Sequence, residues 1–348
     1  MINLALLKQR GLRLLNGRKS YKDLSDKQWT LSPGQSLISP PAIYLPGELD
    51  KVTGVPIETT YANELQRIQG GITQHAATTA YRLSDVQIHR GYIYKGAMKF
   101  PLTTTKESWF NQSETEYISE AALACTFCGN LYFGHWMTDD VILNLAAREL
   151  ATAIRTDQKL SPNQIEYSHL FEINSTPVNH AKFKELIIIE DYGQNQFKRE
   201  RYQYIRAKLK QLYSPSVRPG VMLLRGKSGI QRYLLNEDEI AEFLRNQGFT
   251  IIDPENTPAR EIVRQTLGAK IIVGVEGSQL ANGLFTVAED GVILTLQPPY
   301  RFNNVYKGRS DCLGIQYAFV VGKQVDSGFE ISIENLTKTL DKINSRRV

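Results

Sequence analysis

Apolar residues run together over 270–275 (Lys-Ile-Ile-Val-Gly-Val), stop at Glu276-Gly277-Ser278, and recur at helical spacing at Leu280, Leu284 and Phe285. A short β-branched run of this kind predicts a strand buried on both faces of a parallel sheet; a tight turn and a helix follow it. Gly277 is free to take a positive φ or to admit a ligand, and Ser278 stands at the N-cap position. A helix begun this way aims free amides and the positive end of its dipole at the carboxyl edge of the sheet, where open α/β sheets receive anions. An ordinary βα turn that binds nothing has the same sequence.

The alternation continues through the carboxyl-terminal half. Strands are predicted at 221–224, 250–253 and 292–296, with helices at 236–246 and 258–267 between them. Short loops joining alternating strands and helices imply a doubly wound parallel sheet, hence a Rossmann-like domain over 214–330 with a closing helix in 331–348. Ahead of Pro215 come a buried strand at 183–190 and a basic amphipathic helix at 194–213. Residues 32–105 carry prolines, glycines and short alternating runs such as Tyr81 to Tyr94, which predict strands joined by turns. A helix is expected from near His135. The amino-terminal domain is therefore placed at 31–213, preceded by a basic amphipathic helix within 1–30.

With 348 residues, two domains of ordinary size are expected. No apolar run reaches the length of a membrane span, so no transmembrane helix is expected. The net charge of +5 is concentrated: Lys8, Arg10, Arg13, Arg18 and Lys19 have no acid among them, and the remaining 36 basic residues face 36 acidic ones. That distribution lacks the uniformly basic surface of a nucleic-acid binder. The same end, with Leu4, Leu7, Leu14 and Leu15, has no signal-peptide cleavage site and suits an anionic membrane surface; packing against its own protein is the alternative. Cys125 and Cys128 form a lone Cys-x-x-Cys without the two further ligands a zinc site requires, and Cys312 is remote, so no metal is expected. Three cysteines and no secretion signal point to a reducing cytoplasm, with the inner membrane face as a possible address.

Two groups of residues carry candidate chemistry. His135 and Asp139 are four apart on a predicted helix, so the carboxylate can orient the imidazole as a general base; a capping histidine beside a solvated acid is the alternative. Arg225, Lys227 and Arg232 follow the first strand of the carboxyl-terminal domain and face the same crevice as the Ser278 turn, where together they could hold a diphosphate. Arg225-Gly-Lys-Ser228 is not a phosphate loop, because position 221 is Val and the intervening residues are a strand. No Gly-x-Gly-x-x-Gly follows a strand, which removes the main support for a dinucleotide-dependent dehydrogenase. His75 and His89 have no carboxylate or cysteine neighbours in sequence.

Taken in order, Asn130 to Asp139, Leu223 to Glu239 and Gly274 to Phe285 resemble glycosyltransferase family 61, with matching spacing from about Tyr81 to Gly322. The shared positions are Asn130, His135, Trp136, Asp139, Arg225, Arg232, Asn236, Glu237, Gly277, Leu280, Asn282 and Phe285. The resemblance implies an α/β GT-B-like architecture, two Rossmann-like domains facing a cleft, with extra strands in the amino-terminal part. It also implies inverting transfer that needs no metal or other cofactor, from a nucleotide sugar to a glycan or lipid-linked glycan, as in capsular or surface polysaccharide biosynthesis. His135 and Asp139 are then the catalytic residues, Asn130, Trp136 and Asp140 lie on the acceptor side, and Arg225, Lys227, Arg232, Glu276, Gly277, Ser278 and Asn282 on the donor side. Many relatives carry His where this chain has Glu276. A carboxylate repels phosphate, so Glu276 is expected to bind ribose or sugar hydroxyls. A catalytically silent sugar-nucleotide or glycan-binding protein is the competing expectation.

Overall fold

The computed structural model describes residues 4–107, 115–226 and 232–346. The chain divides into two compact units, Met1–Gln35, Ala76–Ser161 and Glu172–Arg201 in the first, and Ser36–His75, Pro162–Phe171 and Tyr202–Val348 in the second. Where the sequence reading drew one boundary near residue 213, the packing assigns 36–75 and 162–171 to the carboxyl-terminal half. The reason lies in their partners. Ile43 donates its N–H to the Tyr317 carbonyl and accepts from Phe319, and the Tyr167 hydroxyl donates to Asn282.

The first unit is built on a mixed sheet of β1 (Lys27–Ser32), β2 (Thr78–His89), β3 (Tyr92–Lys95), β4 (Met98–Pro101), β5 (Glu116–Leu123), β6 (Ala153–Thr156), β7 (Thr176–Val178) and β8 (His180–Glu190). The order is β4-β3-β2-β8-β5-β6-β7, with β1 also on β2. Only β8, β5, β6 and β7 run parallel; β2 meets β8 antiparallel, so this sheet is half meander and not a second fully parallel one. The two-residue turn between β2 and β3 uses Arg90 and Gly91, both at positive φ, the geometry that matches the twist of a hairpin. The period-2 rule is visible in β8. Leu186 and Ile188 join the core on one face with their cross-strand partners Leu83 and Tyr81, while Ile187 and Ile189 join the core on the other with Ala80, Ala122 and Leu143. The second face is covered by the helix Val141–Ala147, every residue of which is buried.

The second unit matches the sequence expectation more closely. Strands β9 (Val221–Leu223), β10 (Thr250–Ile252), β11 (Ile271–Val275), β12 (Val292–Gln297) and β13 (Gln316–Val321) form a parallel sheet in the order β10-β9-β11-β12-β13. The connections reverse direction between β9 and β11, which makes the carboxyl ends of those two strands the topological switch point, the place where doubly wound sheets bind ligands. Leu223 stands beside Gly274 in register, so the residues after each strand emerge together. Gly283 has no room for a side chain: a Cβ there would lie 2.6 Å from Ile272. The chain as a whole is mixed α/β, with one large mixed sheet and one smaller parallel sheet.

The antiparallel register of β2 and β8 brings His89 opposite His180. Both rings are buried, and their Nδ1 atoms approach to 2.6 Å, so one donates and the other accepts. Burial, reinforced by the charges of His180 and Arg90, pushes His89 down to about 4 from the ordinary 6.5, and burial and Arg90 lower His180 against an opposing Asp157. A depressed histidine pKa means the unfolded chain binds protons first as pH falls. Stability is therefore full above about pH 6.5 and drains toward pH 4. The denaturation midpoint of the wild type is expected to fall over that window, and a His89→Gln/His180→Gln variant, whatever its absolute stability, to show a shallower slope; equal slopes would remove the pair from the titration.

Candidate functional site

In the first unit the site forms after the carboxyl end of β5. The Thr126 hydroxyl accepts from the Gly129 amide at 2.9 Å and caps the short helix Phe127–Leu131. After a further helical turn, Phe133–His135, the chain widens into a π-helical turn over Trp136–Asp140 before the helix Val141–Ala147. Such turns are uncommon and cluster at functional positions.

Here two consecutive acids part company. Asp139 lies 2.6 Å from His135 Nδ1, and both side chains are partly exposed. A carboxylate on Nδ1 fixes the hydrogen there and leaves Nε2 as the nitrogen with the free lone pair. Asp140 goes inward. Its Oδ1 accepts from the Thr126 amide (3.0 Å) and hydroxyl (2.8 Å), and its Oδ2 is buried without a hydrogen-bond partner. Burial raises the Asp140 pKa well above the carboxylate range and the charge of Asp139 adds to the effect, with the Thr126 bonds opposing. A Cβ on Gly129 would lie 2.1 Å from that carboxyl, so only glycine fits beneath it.

The three residues expected on the acceptor side are framework. Besides Asp140, Asn130 donates to the Leu102 carbonyl and accepts from Thr156, and Trp136 is buried with its ring stacked on Phe133 at 5.9 Å. What the surface presents near His135 is a set the sequence reading passed over. Phe127, Cys128, Leu131 and Tyr132 are exposed, in two i,i+4 pairs, and the Tyr132 ring lies 6.1 Å from that of His135. Their spacing was the available signal. Cys125 and Cys128 are both free thiols, and burial pushes Cys125 up to about 12.

In the second unit the site occupies the switch point. Arg225 follows β9, its amide bonded to Glu237 at 2.9 Å. Glu276 follows β11 and is buried. Its carboxylate is ion-paired at 2.9 Å to Arg232 Nη1 and at 3.8 Å to Arg301 Nε, and accepts from Asn303 at 3.2 Å; the hydrogen bond of Arg232 goes to the Glu276 carbonyl. Burial raises Glu276, opposed by Arg232, Arg301 and Arg225, and burial lowers Arg232. Within the protein, then, Glu276 faces the guanidinium groups of Arg232 and Arg301. A Cβ on Gly277 would sit 3.1 Å from Arg232 Nη1 and 3.2 Å from Arg225 Nε, so the bare glycine lets both arginines lie against the backbone. The guanidinium groups of Arg225, Arg232 and Arg301 thus gather at the carboxyl edge of the sheet, with the Glu276 and Glu237 carboxylates among them.

Two expectations change. Gly277, not Ser278, holds the cap position, no side-chain cap bond forms, and the turn continues only as short helical segments over Ser278–Leu280 and Ala281–Leu284, because the Gly277 carbonyl is taken by Leu280 N and the Tyr306 hydroxyl. Asn282 is buried, accepting from Tyr167 and donating to Gln279, so it ties the fold and is not at the crevice surface. Lys227 lies outside the described residues. Arg301, Asn303 and Tyr306 went unnoticed in the sequence, although they follow β12, the strand next to β11, and the carboxyl-edge rule would have found them.

Beneath Glu276 runs a buried polar chain. Asn303 exchanges bonds with Gln297, Gln297 donates to the Asn304 side chain, and Asn304 donates twice to Glu64 Oε2 at 2.7 and 3.0 Å. Glu64, from the segment ahead of the first unit's main sheet, is fully buried and ion-paired to Arg67 at 2.7 Å.

The first unit thus presents an imidazole beside a carboxylate, and the second an arginine cluster at the switch point of a parallel sheet. Residues 133–293, a little under half of the chain, match the family described as Glycosyltransferase 61. No curated protein matches the chain. Among solved structures it is similar to the metal-soaked Flv1 flavodiiron core from Synechocystis sp. PCC6803 at 11% identity and a TM-score of 0.23, covering 76% of this chain and 62% of that one, a likeness too low to carry an argument.

Gly129→Ala is expected to cost about 1–3 kcal/mol by driving a methyl group into the Asp140 carboxyl. Adding Asp140→Ala should recover part of that loss, so chemical denaturation of the double-mutant cycle should yield a favourable coupling; strict additivity would separate the two residues.

Proposed function

We propose that this protein is an inverting, metal-independent glycosyltransferase that moves a sugar from a nucleotide-sugar donor to a glycan or lipid-linked glycan in surface or capsular polysaccharide biosynthesis. The observation that carries the reading is the His135–Asp139 pair in a segment that matches the glycosyltransferase family 61 model. In this reading the units divide the labour as in the GT-B architecture, the first holding the acceptor and the second the donor. His135 Nε2 removes the acceptor hydroxyl proton as that oxygen attacks the anomeric carbon, and Asp139 stabilises the imidazolium that forms. The bond from the anomeric carbon to the diphosphate breaks on the opposite face, which inverts the centre. Arg225, Arg232 and Arg301 stand where charge develops on the departing nucleoside diphosphate, supplying the stabilisation that metal-dependent enzymes take from a bound cation. The free thiols fit a reducing cytoplasm.

A second reading, a catalytically silent nucleotide-sugar or glycan binder, draws on Glu276, which neutralises part of the arginine cluster. The two separate on His135. In an enzyme, His135→Ala keeps donor affinity and lowers acceptor-dependent release of nucleoside diphosphate by about 10²–10⁴-fold, and Asp139→Asn lowers it less. Near-normal turnover by a folded His135→Ala variant would end the assignment.

Arg225→Ala is expected to weaken nucleoside-diphosphate binding by roughly 1.5–3 kcal/mol through loss of a charge-assisted contact. Calorimetric titration giving equal affinity in a folded variant would move Arg225 out of the donor site.

A further inference from the structure

The helix Leu4–Asn16 docks by one side only. Leu6 is fully buried against Tyr92 and Tyr94, Gln9 is buried and donates to the Ala97 carbonyl at 3.0 Å, and Lys19 forms an isolated bridge with Met98 just beyond the helix. Anchored at both ends on the β3–β4 hairpin, the helix has a fixed rotation. At 100° per residue the docked side centres on Leu6, Gln9 and Arg13, and the opposite side carries Leu7, Lys8, Gly11, Leu14 and Leu15. Leu14 and Leu15 are 89% and 81% exposed, and Leu7 is exposed as well.

Cations flank this leucine face. Lys8 and Arg10 stand at its two edges and Arg18 and Lys19 follow the helix end, with no acidic residue before Asp23. Lys8, Arg13 and Arg18 form no ion pair among the described residues. Among the described residues the acid that pairs with the helix is Glu107, held at 3.5 Å by Arg10 and at 3.3 Å by Lys99; against burial, the Tyr94 hydrogen bond and those cations lower its pKa.

We propose that this helix face is a docking surface for an anionic lipid bilayer. The leucines enter the boundary between headgroups and acyl chains while the flanking cations meet lipid phosphates, the arrangement of an interfacial helix lying in the membrane plane. Charge selects this occupant. A second copy of the chain would bring the same cations together across the interface with no acid to answer them.

The test is co-sedimentation of the full chain with vesicles of phosphatidylcholine alone and with about one third phosphatidylglycerol, at low and at about 0.5 M salt. Binding is expected only to the anionic vesicles and only at low salt. Leu14→Glu/Leu15→Glu should reduce it at least about tenfold, and Lys8→Gln and Arg18→Gln roughly fivefold each. All four positions are exposed, and unchanged thermal melting confirms that the fold is intact. No binding by the wild type, equal binding to neutral vesicles, or equal binding by the leucine variant each overturns the proposal. So does self-association in the absence of lipid that Leu14→Glu abolishes, which would make the face a contact between copies.

Discussion

A carboxylate with almost no access to water must be answered by partners, and Glu276 recruits them from separate parts of the second unit. Arg232 comes from the region between β9 and the helix Glu237–Asn246, and Arg301 and Asn303 from the turn after β12. A buried ion pair is costly to form and far more costly to break by removing one partner. The pair therefore contributes little net stability but dictates geometry: it holds guanidinium groups against Gly277 at the switch point. Arg232 and Arg301 are held in place by Glu276, which is itself tied through Asn303 to the polar chain down to Glu64.

The first unit solves its electrostatic problem in the opposite way. His135 and Asp139 meet through helical spacing alone, partly in water, and depend on distant residues only for the course of the backbone. That course is set by Asp140, whose buried carboxyl holds Thr126 and leaves no room beside Gly129. One acid of the adjacent pair meets an accessible imidazole and the other turns into the fold, and the π-helical turn is where they are sent apart.

The parallel sheet of the second unit was legible because strands buried on both faces are continuous apolar runs, and 270–275 and 292–296 are such runs. The i,i+4 relation of His135 and Asp139 was legible for the same local reason. Asn130, Trp136 and Asp140 were assigned to the acceptor side, and their inward bonds were not legible, because polarity and neighbourhood say nothing about which way a side chain turns after a capped helix. The histidine pair was invisible, since His89 and His180 meet only through the register of two long strands. Arg301 and Asn303 were missed because no periodic pattern marks a turn residue whose role comes from a neighbouring strand.

The way the second unit is threaded has a consequence for the order in which the protein is made. All segments of the first unit are available once residue 201 has emerged, so that unit can fold while the ribosome is still at work. Residues 36–75 cannot settle so early. Glu48 waits for the Val321 amide and Asn335, and Glu64 for Asn304, partners that are synthesised more than 200 residues later. Until then two carboxylates destined for the interior stay hydrated, and the segment that carries them remains a long, open loop whose closure adds entropy to the barrier for completing the parallel sheet.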